Sequence, residues 1–180
     1  MQRPSLRTIS HLDIRRLSEE ASQIPRLRKN LNVHPEMNDP VQRLFNAMEP
    51  GTYVRAHRHA RENGWELMIC LHGSFSVLTF DDHGQVLERT DLDSASHIRA
   101  VEIPAHTWHT VVVHDAGTVM FEVKPGPYSP IEDKDFAVWS PRETHENALL
   151  AVRWFADAGP GDRPCWLGES RTNSLKLSKI

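Results

Sequence analysis

The chain is poor in cysteine, with only Cys70 and Cys165 among its 180 residues and no CxxC pair. That excludes a disulfide framework and a cysteine-based zinc module. Cys70 lies inside the apolar run LMICL and reads as a small buried residue. Long hydrophobic runs are also missing: no stretch approaches the roughly 20 apolar residues of a membrane-spanning helix. The opening MQRPSLRTISHLDIRR lacks the apolar core of a secretory signal. The expectation is a cytoplasmic protein without a membrane partner. Positive charge is not in excess either, because the formal net charge is -3, so no basic field for nucleic acid is present. Arg15, Arg16, Arg26 and Arg28 form a local basic bias that reads as a solvated face. No repeat or low-complexity tract is seen. What is there, 39% hydrophobic and 25% charged residues, is the composition of a globular domain with one core.

Local patterns divide the chain. SHLDIRRLSEEASQ is predicted as an amphipathic helix: Ser10 caps it, Asp13 is the reciprocal cap, and Ile14, Leu17 and Ala21 share a face. From about residue 28 the pattern changes to short strands. RKNLNVH sets Arg28, Asn30, Asn32 and His34 on one side and Leu31 and Val33 on the other. VQRLFNAM, TYVRAHRH, ELMICLHG, SFSVLTFD, HTVVVHD and TVMFEVK follow. Turn chemistry such as Asp81-Asp82-His83-Gly84 and Asp115-Ala116-Gly117 separates several of them. The polar stretch 89–100 reads as a loop leading into a short strand. Ser140-Pro141, with Glu143 as reciprocal cap, predicts a second helix continued by Leu149, Val152 and Ala156 and stopped at Gly159-Pro160. The tail from about 160 to 180 shows little periodicity and reads as a surface segment or a dock for a partner subunit. The expected organisation is a helical extension over 1–27, a β-barrel over 28–137, and a C-terminal helix and tail over 138–180.

Eleven histidines are the compositional anomaly. In a strand alternate residues face one way. His57 and His59 therefore share a side, together with Tyr53 and Arg55, and form a bidentate platform for a metal. A carboxylate, Glu66, and a third imidazole, His109, open strands that can flank this pair. His11, His83, His97 and His145 lie on polar stretches and read as surface residues, and His72 and His114 lie at strand ends. His34 shares its face with Arg28, Asn30 and Asn32.

PGTYVRAHRH followed by WELMICLHG resembles the first cupin motif, G-x5-H-x-H-x3,4-E-x6-G, and IPAHTWH resembles the core of the second, P-x-G-x2-H. More closely, VQRLFNAMEPGTYVRAHRH, FDDHG, IPAHTWHT and EVKPGPYSPIEDKDFAVW resemble the WbuC-type cupin metalloproteins, found among bacterial polysaccharide biosynthesis genes. The likeness runs from about residue 28 to 141. It implies an all-β cupin jelly roll, or double-stranded β-helix, and one divalent metal ion held by His57, His59, Glu66 and His109. Three features depart from the motifs. The gap from His59 to Glu66 is longer than the pattern, which makes Glu62 a rival ligand, although Glu66 keeps the spacing to Gly73. His106 replaces a glycine, as an extra ligand or a rim residue. Val113 replaces a closing asparagine that is not a ligand. Iron, manganese, nickel and zinc all suit such a donor set.

Around this site, Arg55, Tyr53, Gln42, Asn46 and His106 are the expected substrate-binding residues, and Glu122, Tyr53 and His106 the candidate acid–base groups. Arg55 is expected either to pair with a carboxylate such as Glu122 or to clamp a substrate anion. In TVMFEVK the apolar set Val119, Phe121 and Val123 is expected to face the core, the alternative being a polar barrel mouth that turns Glu122 and Lys124 inward. Trp108 is expected to point away from His109, and Tyr128 to close one end of the barrel. The donor set leads to the expectation of a metal-dependent enzyme, of isomerase or oxygenase type, on a small polar substrate such as a sugar or sugar nucleotide, and the resemblance implies only its surface-polysaccharide context. The alternative is a metal-dependent binding or sensor module. Exposed sheet edges suggest a homodimer.

Overall fold

The computed structural model describes residues 6–128 and 135–167. The remainder of the tail, from 168 onward, lies outside the described residues. Helix α1 (His11–Ser22) comes first. The Ser10 side chain accepts from the Asp13 amide while Asp13 accepts from the Ser10 amide, so the capping box forms as expected. Then follow β1 (Arg28–Asn32), β2 (Val41–Met48), β3 (His57–Arg58), β4 (Glu66–His72), β5 (Ser74–Phe80), β6 (Val86–Asp93), β7 (Ala100–Ile103), β8 (Trp108–Val113), β9 (Thr118–Pro125), β10 (Asp135–Phe136) and α2 (Ala148–Asp157).

The strands form two antiparallel five-stranded sheets, ordered β1-β2-β9-β4-β7 and β10-β3-β8-β5-β6. Met48, Met68, Cys70, Ile103 and Met120 of the first sheet pack against Phe75, Val77, Leu92, Val111 and Val113 of the second. The two sheets thus close on a shared interior. This is the all-β jelly-roll barrel that the resemblance implies. Helix α1 covers the outer face of the first sheet, where Leu17 and Ala21 meet Ala47 and Val119. Helix α2 covers the outer face of the second, where Ala151 and Phe155 join Leu78, Phe80 and Trp139. No helix among the described residues is long and apolar enough to cross a membrane.

Four local expectations are corrected. Residues 89–93 are strand, not loop. They belong to β6, the edge of its sheet, where Leu92 faces inward and the polar neighbours face outward. The second helix starts at Ala148 rather than at Pro141, and its buried face is Ala148, Ala151 and Phe155. Leu149 is exposed, as is Ala156. Ser140 and Glu143 are engaged elsewhere: the Ser140 hydroxyl meets the Tyr53 hydroxyl at 3.0 Å and accepts from the Ala56 amide, and Glu143 accepts from Arg26 and Arg28. The strand expected over TYVRAHRH is reduced to His57–Arg58. Finally, β9 turns its polar set inward. Met120, Glu122 and Lys124 face the interior, while Val119 lies under α1 and Phe121 packs on Phe45. The interior at this end is a polar cavity, and α1 supplies an apolar cover outside, so the usual preference reverses.

Candidate metal centre

The register builds the site. In the β3–β8 pair His57 stands directly opposite His109. His59 follows one residue beyond β3, held there as its carbonyl accepts the His106 amide at 2.9 Å. Glu66 is the first residue of β4 on the facing sheet. The potential ligand atoms of His57, His59, Glu66 and His109 lie within 4.8 Å of one another, and all four side chains are buried. The sheets thus bring the four residues together across the barrel, the imidazoles from one side and the carboxylate from the other.

The donor chemistry fits a divalent ion. His57 Nδ1 lies 2.9 Å from the Arg55 carbonyl, and His109 Nδ1 lies 2.9 Å from the Thr107 carbonyl. A carbonyl only accepts, so Nδ1 carries the proton and Nε2 is left with its lone pair, the tautomer a metal needs. His109 Nε2 is buried with no hydrogen bond of good geometry among the described residues, although it sits 3.2 Å from Glu66 Oε2. His59 Nε2 is 3.3 Å from the same oxygen. A buried acceptor nitrogen beside a carboxylate is costly unless a cation joins them. Glu62, the rival carboxylate, lies outside this cluster, fully exposed 4.0 Å from His106 Nε2.

A second polar layer supports Glu66. Lys124 Nζ donates to Glu66 Oε1 at 3.2 Å and lies 2.5 Å from Glu122 Oε1. Asn46 donates to Glu122 Oε2 at 2.6 Å. Burial and the neighbouring Glu66 charge push Glu122 up to about 7, against the pull of Lys124. Burial disfavours the Glu66 anion, but Lys124 and the two imidazoles outweigh it and hold that carboxyl well below its usual range. Lys124 is itself raised, since its two carboxylates overcome the desolvation that would lower it.

These groups border a cavity of about 250 Å³ inside the barrel. Its wall includes His57, Glu66, Gln42, Asn46, Glu122 and Lys124, over an apolar floor with Leu44, Met68 and Met120. Tyr128 sits at the edge between it and an outer cavity of about 500 Å³ lined by Arg26, Arg28, Lys29 and Arg55. Not every expected site residue meets it. Tyr53 belongs to the α2 side of the molecule, where it packs near Phe155 and donates to the Pro141 carbonyl. Arg55 donates to the Ala137 and Ser140 carbonyls and stacks over Phe136, so its partner is not Glu122. His106 adopts the left-handed conformation its glycine position requires, with φ 65°, and its side chain is half-exposed. Trp108 points outward, as expected, donating to Asp82 beneath the Arg58 guanidinium. Sequence reasoning missed Lys124. The signal was present in the alternation Met120, Glu122, Lys124, in register with Asn46, Leu44 and Gln42.

Residues 9–92 match a family described as a domain of unknown function, DUF6016. No curated protein matches the chain. Among solved structures it is similar to a cupin superfamily protein from Desulfitobacterium hafniense DCB-2, at 17% identity over 54% of this chain and 76% of that one, with a TM-score of 0.43. KdgF from Halomonas sp. aligns at 17% identity over 58% of this chain and 84% of that one, with a TM-score of 0.44. The capsular polysaccharide assembling protein CapF from Staphylococcus aureus aligns at 16% identity, over 60% of this chain and 31% of that one, with a TM-score of 0.46.

Proposed function

We propose that the protein is a metal-dependent enzyme of the WbuC type that acts on a small polar substrate, a sugar or sugar nucleotide, in bacterial surface-polysaccharide metabolism. The observation that carries this reading is the meeting of three buried imidazoles and one carboxylate, of which His57 and Glu66 line a cavity shared with Gln42, Asn46, Glu122 and Lys124. Closed structural zinc sites are dominated by cysteine and lack such a cavity. The bound divalent ion supplies a Lewis acid for a substrate oxygen. His57, His59, Glu66 and His109 hold it, and the Nδ1 hydrogen bonds of His57 and His109 fix the rings. Lys124 orients Glu66. Of the three acid–base candidates only Glu122 faces the cavity, so it is the group that takes or gives a proton there, at a carboxylate oxygen. Asn46 holds that carboxylate in place. We further propose that the protein works in the cytoplasm as a homodimer.

The test is turnover. Metal-loaded protein incubated with hexoses and sugar nucleotides, followed by proton NMR, is expected to convert at least one of them, and Glu122→Gln is expected to slow that conversion by about 100-fold or more. Binding without conversion across the panel would favour the sensor reading instead.

A further inference from the structure

His34 is 95% buried, with 5% of its surface exposed, and lies just beyond the end of β1. Its Nδ1 faces the Arg43 backbone, 3.0 Å from the amide nitrogen and 2.9 Å from the carbonyl oxygen. The amide can only donate, so Nδ1 accepts. The carbonyl already takes the Val33 amide at 2.8 Å. The ring proton is therefore on Nε2. That atom is buried, has no hydrogen-bond partner among the described residues, and belongs to a side chain on the cavity wall. An unpaired buried donor is costly, and such groups are rare in folded proteins unless a partner arrives.

The register says where that partner reaches. Gln42 of β2 pairs with Lys124 of β9. The Leu67–Val123 pairing of β4 with β9 sets Glu66 beside Lys124. His34, next to the Arg43 end of β2, completes a row across the sheet with Glu66 at its other end. Three strand spacings separate the two backbones, about 14 Å, and both side chains border the same cavity. A cavity of about 250 Å³ is smaller than the roughly 300–1,000 Å³ of drug-sized pockets, so it suits one monosaccharide-sized molecule. With a divalent ion bound, the charges of Glu66, Glu122 and Lys124 leave the site about one positive charge, which favours a monoanion.

We infer that His34 is a ligand-recognition residue, donating its Nε2–H to the distal oxygen of a monosaccharide-sized polyhydroxy acid whose other end meets the His57, His59, Glu66 and His109 cluster. This rests on the metal reading above. The rival role, a cap for the end of β1 through Nδ1 alone, needs no ligand.

Calorimetry on the zinc-loaded full chain separates the two, with D-gluconate, D-glucose and acetate as probes. Gluconate is expected to bind at least about 10-fold tighter than glucose, which lacks the charge, and than acetate, which lacks the distal oxygen. His34→Asn keeps an acceptor for the Arg43 amide and removes the Nε2–H, because the asparagine amide nitrogen ends one atom short of that position. It is expected to weaken gluconate by about 10-fold while leaving acetate binding and zinc content unchanged. Wild-type gluconate affinity in H34N overturns the inference. So does equal weakening of gluconate and acetate, or gluconate that binds zinc-loaded wild type no better than acetate. If H34N folds poorly, imidazole NMR of the wild type decides: the His34 Nε2 proton must shift with gluconate and not with acetate, and no shift overturns the assignment. A wild-type chain that takes up no zinc defeats the metal reading itself, a result distinct from loaded protein that ignores gluconate.

Discussion

Lys124→Met tests the polar layer behind the metal centre. Lys124 lies between two carboxylates, Glu66 and Glu122, and the side chains are 12%, 3% and 7% exposed. Methionine keeps the volume and removes the cation, so the two buried carboxylates face each other without it. Removing one partner of a buried ion pair costs about 3–5 kcal/mol, a large part of the roughly 5–15 kcal/mol that holds a domain together. The cost depends on pH with a definite sign. Glu122 is raised to about 7 with Lys124 beside it and further without it, so the variant's deficit relative to wild type grows as pH rises through 7, where the wild type gives up this proton and the variant must hold it or bear the repulsion. Metal-free K124M should therefore lose about 3–5 kcal/mol in urea unfolding near pH 8 and clearly less near pH 5.5. An ion on Glu66 takes over part of the lost positive charge, so metal-loaded K124M should lose less than the metal-free form. A loss below about 1 kcal/mol, or the same loss with and without metal, would refute the reasoning.

Other predictions follow from the same packing. Phe155→Ala removes the buried anchor of α2, 2% exposed, and should cost about 3–5 kcal/mol, read as a lowered urea midpoint. Glu143 sits between Arg26 and Arg28. Burial would raise its carboxyl, but the hydrogen bonds and charges of these arginines outweigh it and hold it low. Its stabilisation is thus present above the ordinary carboxylate range and lost as pH falls through the lowered value. Glu143→Gln should cost less than about 1 kcal/mol at neutral pH, and the difference from wild type should vanish in acid titrations.

Much of this site could be read from residue order, and the exceptions have physical causes. The capping box of Ser10 and Asp13 is local chemistry, so α1 falls where the pattern puts it. Glu66 is identified by its spacing to Gly73, because β4 must run its full length between them. Side-chain parity worked for Arg28, Asn30, Asn32 and His34, all of which border the cavity. It failed for Tyr53 and Arg55, because the backbone from 52 to 56 leaves strand geometry before β3 and both side chains bond to the segment from Ala137 to Pro141. It also failed for β9, where hydrophobicity alone cannot tell an apolar interior from a polar cavity with α1 outside. The late start of α2 has a similar origin. Ser140 had the chemistry of a helix cap, but Tyr53 and Ala56 claim its hydroxyl through tertiary contacts that no local pattern contains.

The central claim is that His57, His59, Glu66 and His109 form one metal site. Elemental analysis of freshly purified protein beside the double variant His57→Ala, His109→Ala tests it most directly. The account predicts about one equivalent of divalent ion in the wild type and essentially none in a folded double variant. A double variant that keeps its full complement of metal would contradict it.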